Sequence, residues 1–199
     1  MKYFKKIFLT CAMIAILIST ITNSICLGNT DDKVIISTEN NDIDYVRYGS
    51  STISSKKITD NKNYIGYCLD IERDYPSGEY FTKIATIKDR GLKGIIANGY
   101  PNIKGKDFGL TDDEVYFATQ IAICSYQEGY DISKITSNNK KVETLIKDIY
   151  TNGVNINARG LIDLDVYYTS DSVQRIILVK ESDTQGISDI KEDLIQQNG

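Results

Sequence analysis

Residues 111–127 read Thr-Asp-Asp-Glu-Val-Tyr-Phe-Ala-Thr-Gln-Ile-Ala-Ile-Cys-Ser-Tyr-Gln, and the reading of this stretch decides the fold. Thr111 followed three residues later by Glu114 is a capping box, and the acids of the first turn sit where the helix dipole favours them. The helix should therefore run from about Asp112 to Gln127 and end near Gly129. Its side chains from Val115 to Tyr126 are apolar or aromatic almost all round, the signature of a buried helix rather than a surface one. Gln120 lies in the middle of that run. A buried amide without partners costs about 1–3 kcal/mol, so something must face it. Either its amide bonds to the backbone of a neighbouring strand, or it faces a nucleophile.

Working outward, the best nucleophile is Cys68. From Tyr64 to Ile71 the residues Ile65, Tyr67, Leu69 and Ile71 alternate with Tyr64, Gly66, Cys68 and Asp70, which predicts a strand. Period-two geometry places Cys68 on the face of Gly66 and Asp70, opposite the main apolar row, and Gly66 permits close approach of another element. Asp70 is a possible electrostatic neighbour of the thiol or a plain solvated acid. A short helix fits Asp89 to Ala97, stopped by Asn98-Gly99 before Pro101, and a one-sided helix fits Asn139 to Tyr150, stopped by Asn152-Gly153. Residues 162–168 and 175–180 read as a closing hairpin around Ser170-Asp171-Ser172. Val34 to Ser37 and Asp44 to Tyr48 are short β-like runs in an otherwise polar stretch, which presents residues 29–63 as an exposed lead-in with one or two edge strands. The hairpin signals make the sheet antiparallel and the fold class α+β, in one domain.

Composition removes most other chemistries. The chain has no His, which excludes Ser-His-Asp and Cys-His catalysis and His-ligated metal sites. Lys2, Lys5 and Lys6 precede the apolar run Ile7 to Ile21, the pattern of a signal peptide over residues 1–28, too short and too polar in its flank for a membrane span. A lipoprotein role for Cys26 is disfavoured by Ile25, which stands where a small residue is wanted. Removing that segment leaves 20 basic against 27 acidic residues, a net charge of about −7, so the exported protein lacks the basic stripe that nucleic-acid binding needs. It also leaves two cysteines, Cys68 and Cys124, and outside the cell two cysteines by default pair. Residues 181–199 are polar and read as a tail or linker.

Three short motifs in order resemble the thioester domains of Gram-positive surface adhesins: Tyr67-Cys68-Leu69, the turn Asn98-Gly99-Tyr100-Pro101, and Thr119-Gln120-Ile121-Ala122-Ile123. The resemblance spans most of residues 64–180 and extends less specifically through Gln174. It implies a sandwich-like antiparallel sheet meeting a helical part, with Cys68 on a strand facing Gln120 on the buried helix. It implies an internal Cys68–Gln120 thioester that needs no cofactor and captures, in a single turnover rather than by catalysis, a lysine amine on a host surface or matrix protein. The expected setting is secreted or at the cell surface, with no stable membrane insertion once the signal is removed. The aromatics Tyr67, Tyr100, Tyr116 and Tyr126 are candidates to wall the bond from water, although core packing explains them equally well. One departure is notable. Where the family usually has Trp after the third motif, this chain has Cys124, four residues beyond Gln120 and on the same helical face. Cys124 is either a small buried hydrophobe or a partner for Cys68, and a Cys68–Cys124 disulfide would leave a noncovalent binding domain.

Overall fold

The computed structural model describes residues 33–155 and 164–179, so the predicted signal segment at 1–28 and tail at 181–199 lie outside the described residues. Strand β1 (Lys33–Tyr48) turns at Gly49 into β2 (Ser51–Asp60), and the two pair antiparallel with two register shifts in the polar middle of β1. The first half of β1 also pairs with β4 (Ser77–Thr86). Strands β3 (Ile65–Cys68), β6 (Asp165–Tyr168) and β7 (Ile176–Val179) complete the order β2-β3-β7-β6-β4-β1, and the β1–β2 pairing closes it into a ring. A short β5 (Ile135–Thr136) adds to the outer part of β1. All pairings between named strands are antiparallel, as the hairpin signals require.

Closure explains two features that the sequence pattern conceals. The stretch expected to be an exposed lead-in supplies two ring strands, and at Ile36 the first of them is flanked on both sides, by Asp60 and Glu79. A ring strand needs few inward apolar residues, and Ile36, Val46, Ile53 and Ile58 suffice among polar neighbours. Strand β4 carries no alternating signal because only Phe81 of its ten residues is buried, with Tyr80 and Ile84 exposed.

Each of the six strands contributes to a small core: Ile36, Ile58, Cys68, Phe81, Tyr167, Ile176 and Leu178. The face of Cys68 is thus apolar as well, and β3 is buried on both faces. Gly66 is required there, since a Cβ would stand 2.5 Å from the Ile58 side chain. The other face of β3, with Ile65 and Tyr67, joins the larger core formed with the helices, as does Leu69 just beyond the strand.

Three helices cover that face. α1 (Arg90–Ala97) is capped by Asp89, whose carboxylate accepts the Leu92 N–H at 2.8 Å. α2 (Asp112–Glu128) has the predicted capping box at Thr111 and Glu114 and a left-handed Gly129 cap, and every residue from Val115 to Ser125 is buried. α3 (Lys140–Asn155) runs past the expected stop. Gly153 is inside the helix because it packs on α1, where a Cβ would lie 2.5 Å from the Ile95 N and Cα atoms. The glycine that reads as punctuation is a close helix contact.

Candidate functional site

The site forms where the ring is split. β2 and β3 pair only at Ile58–Gly66 and Thr59–Ile65, and beyond that point α2 inserts two side chains along the freed edge of β3. The Tyr116 hydroxyl accepts the Ile58 N–H at 3.2 Å and donates to the Gly66 carbonyl at 2.9 Å. One turn along α2, the Gln120 amide pairs with the main chain of Cys68: the Cys68 N–H donates to Oε1 at 2.9 Å, and Nε2 donates to the Cys68 carbonyl at 3.1 Å. Gln120 therefore behaves like one more residue of a strand beside β3. The structure brings the two sequence-predicted site residues together, with Gln120 1% and Cys68 4% exposed.

The second motif ties the arrangement. In the Asn98–Pro101 turn, the Tyr100 carbonyl accepts the Tyr67 hydroxyl at 2.6 Å, and the Tyr100 N–H donates to the Thr119 hydroxyl at 2.9 Å. Thr119 in turn donates to the Val115 carbonyl at 2.8 Å, and Tyr67 stacks on Tyr116 with ring centroids 5.1 Å apart. The neighbours of Cys68 and of Gln120 in sequence are thus held by the same turn. Tyr67 and Tyr116 are core aromatics, and Tyr126 belongs elsewhere, donating to Asp89 at 2.9 Å beside α1.

Cys124 is part of the site. Its Sγ accepts the second hydrogen of the Gln120 amide at 3.2 Å, and both thiols are buried and in contact with one another. The contact with Cys124, together with burial, pushes the Cys68 thiol well above the ordinary thiol range. The hydrogen bonds from Cys68 and from the Gln120 amide draw the Cys124 thiol down against its burial. The two sulfurs titrate as a pair, with Cys124 as the side that accepts. Asp70 is not a proton acceptor for Cys68. Burial would raise its carboxyl, but Arg175 grips it with Nε and Nη2 at 2.9 and 2.6 Å and holds it below the usual range, fastening the end of β3 to the start of β7.

A cavity of about 390 Å³ opens onto Cys68, Gln120 and Cys124, and Glu72, Tyr75, Tyr130 and Gln174 also line it. Tyr75 is pushed up to about 12 by burial and by the Cys68 sulfur. Gln174 is 2% exposed; its Nε2 donates to the Arg73 carbonyl at 3.0 Å, while its Oε1 has no partner among the described residues. These lining residues carry no local sequence signal, because they come from a loop, a helix end and a turn joined only by the fold. Among the described residues there is no cluster of His, Cys, Asp or Glu suited to a metal ion, and no helix long and apolar enough to cross a membrane.

Comparison with known proteins agrees with this architecture. The structure is similar to that of the Bacillus anthracis TIE protein, with a TM-score of 0.63 and 14% identity over 73% of this chain and 46% of that one. It also resembles the thioester domain of the Enterococcus faecium TIE86 protein, with a TM-score of 0.54 and 19% identity over 70% of this chain and 61% of that one. A third likeness is to the N-terminal domain of the Streptococcus pyogenes pilus tip adhesin Cpa, at 0.53 and 16% over 77% and 96%. The match thus spans less than two thirds of the first two of these proteins. No curated protein matches the sequence. Residues 65–155 match the family model for the thioester domain, a stretch holding Cys68, the Asn98–Pro101 turn, Gln120 and Cys124. Residues 65–155 are thus similar to the thioester-domain family, with its motifs in place, and the fold is shared with thioester domains of surface proteins.

Proposed function

We propose that Cys68 and Gln120 form an internal thioester and that the domain, exported behind residues 1–28 and built from residues 64–180, uses it as a surface adhesin to capture lysine amines of a host protein. The observation that carries this reading is the docking of the Gln120 amide on the Cys68 main chain. Attack of the Cys68 sulfur on Gln120 Cδ converts Oε1 into an oxyanion, and the Cys68 N–H, 2.9 Å away, is already in place to stabilise it. An amide is a poor electrophile, and fixing both partners in one buried site replaces the activation that a reagent would supply. Burial also keeps water from the product bond. The cavity gives an amine a route to Cδ, and the exposed Glu72 beside it favours a cationic side chain. Attack by that amine leaves an isopeptide at Gln120 and a free Cys68 thiol, so each molecule acts once.

The contact between Cys68 and Cys124 favours a second reading, a noncovalent binding domain stapled by their disulfide. Intact mass of the purified domain separates the two. A thioester makes the protein lighter by one ammonia and adds one methylamine on treatment, and both changes are lost in Cys68→Ala. A protein lighter by two hydrogens, unmoved by methylamine and restored by reductant, would replace the thioester with the disulfide.

A further inference from the structure

We infer that Cys124 is the acid–base group of thioester formation, taking the proton of the Cys68 thiol and supplying one to the departing nitrogen of Gln120. The inference rests on the thioester reading above and assigns it a residue that the family motif does not contain. The argument begins with the leaving group. An amide nitrogen leaves only as ammonia, which needs a third proton, and two groups touch Gln120 Nε2: the Cys68 carbonyl at 3.1 Å and the Cys124 sulfur at 3.2 Å. A carbonyl oxygen has no proton to give; a thiol has one.

The same sulfur neighbours the nucleophile: Cys68, Gln120 and Cys124 line one cavity, and the two buried thiols shift one another's pKa in opposite directions. One sulfur therefore bonds the group that must gain a proton and shares a cavity with the group that must lose one. Four-residue spacing on α2 stacks Cys124 over Gln120, so the contact is fixed by the helix itself. The other titratable groups around the cavity serve less well. Asp70 is occupied by Arg175; Glu72 is exposed to solvent; burial raises Tyr75, Tyr116 and Tyr130, which leaves them as neutral phenols. Glu128, one turn beyond Cys124 on α2, acts on it only through its charge, which disfavours the thiolate.

The step balances without an outside reagent. The Cys124 thiol gives its own proton to Nε2 as its sulfur takes the Cys68 proton, so the sulfur never carries two; the Cys68 electron pair forms the S–Cδ bond and the carbonyl π pair moves to Oε1. That pair returns as the Cδ–Nε2 bond breaks, ammonia departs, and Cys124 ends as the thiol it began as. Aminolysis runs the relay backward, with Cys124 relieving the incoming amine of its proton and returning one to Cys68.

The test uses the exported domain under reductant. Concentrated ammonium reopens the thioester to the Gln120 amide and Cys68 thiol; after its removal, reclosure is followed as loss of one ammonia by intact mass. General acid–base groups contribute about 10²–10⁴-fold, so Cys124→Ala and Cys124→Ser should both reclose at least about 10²-fold more slowly than wild type. Their rates should rise with phosphate buffer concentration and the wild-type rate should not, a dependence that a packing role does not produce. Serine keeps roughly the size and a hydrogen-bonding group beside Gln120 but is a far weaker acid than a thiol, so it decides the question if the alanine variant folds poorly. Reclosure of Cys124→Ser within about threefold of wild type, without buffer dependence, would overturn the inference and leave the thioester standing. A wild-type domain that never loses ammonia would overturn the thioester reading itself.

Discussion

Opening the proposed thioester should cost the domain a large and calculable part of its stability. The bond would join residues 52 positions apart in the chain, and a cross-link restricts the unfolded state according to the length of loop it closes. For a loop of that length the chain-entropy relation gives about 4 kcal/mol at 25 °C. Methylamine removes the link with little other disturbance. The new amide keeps Oε1 on the Cys68 N–H and carries one N–H where the thioester has none, so the lost link dominates the change. With a urea slope of about 2 kcal/mol/M, the unfolding midpoint should fall by about 2 M between the closed and methylamine-opened protein. The assay is urea unfolding by circular dichroism on samples whose closure is verified by mass, with Cys68→Ala treated identically as the baseline. That variant should show the same midpoint with and without methylamine. A fall smaller than about 0.5 M in fully opened protein would refute the reasoning, because the unfolded chain would then be no freer without the bond.

Two further outcomes follow from groups away from the reacting atoms. Tyr116→Phe deletes the hydroxyl joining Ile58 to Gly66 in the split seam and should lower stability by about 2 kcal/mol, measured by urea unfolding in the Cys68→Ala background; a loss below about 0.5 kcal/mol would mean that the strands close without it. Glu143 is pushed down to about 2 by Lys140, by the Ser137 N–H and by Lys147. Its folded pKa lies below its unfolded value of about 4.3, so its contribution is complete above that pH and fades as pH falls toward 2. Acid titration of stability should be shallower in Glu143→Gln over that window, and an unchanged acid limb would count against the assignment.

Much of the site is legible in the sequence because its signals are local. The capping box at Thr111 and Glu114, the unbroken apolar run around Gln120 and the alternation through Cys68 each specify an element from neighbours a few residues apart. The ring is less legible. Its closure depends on β1 pairing on both sides at Ile36, and on β4, whose single buried residue Phe81 leaves no periodic trace. Gly153 misleads for a related reason, since whether a glycine ends a helix or admits a neighbour depends on Ile95, far away in the chain. The spacing of Cys124 from Gln120 marks their shared face, but its contact with Cys68 depends on how α2 meets β3.

The main-chain character of the grip between Gln120 and β3 has a consequence for how such domains diverge. Every bond by which the glutamine holds the strand goes to the N–H and carbonyl of residue 68, which any amino acid other than proline provides. A descendant that exchanged the cysteine for serine or alanine would lose the thiol proposed to form the thioester and keep its scaffold. Architecture and the proposed reactivity are therefore separately inheritable, since the grip of Gln120 on the strand does not depend on the thiol.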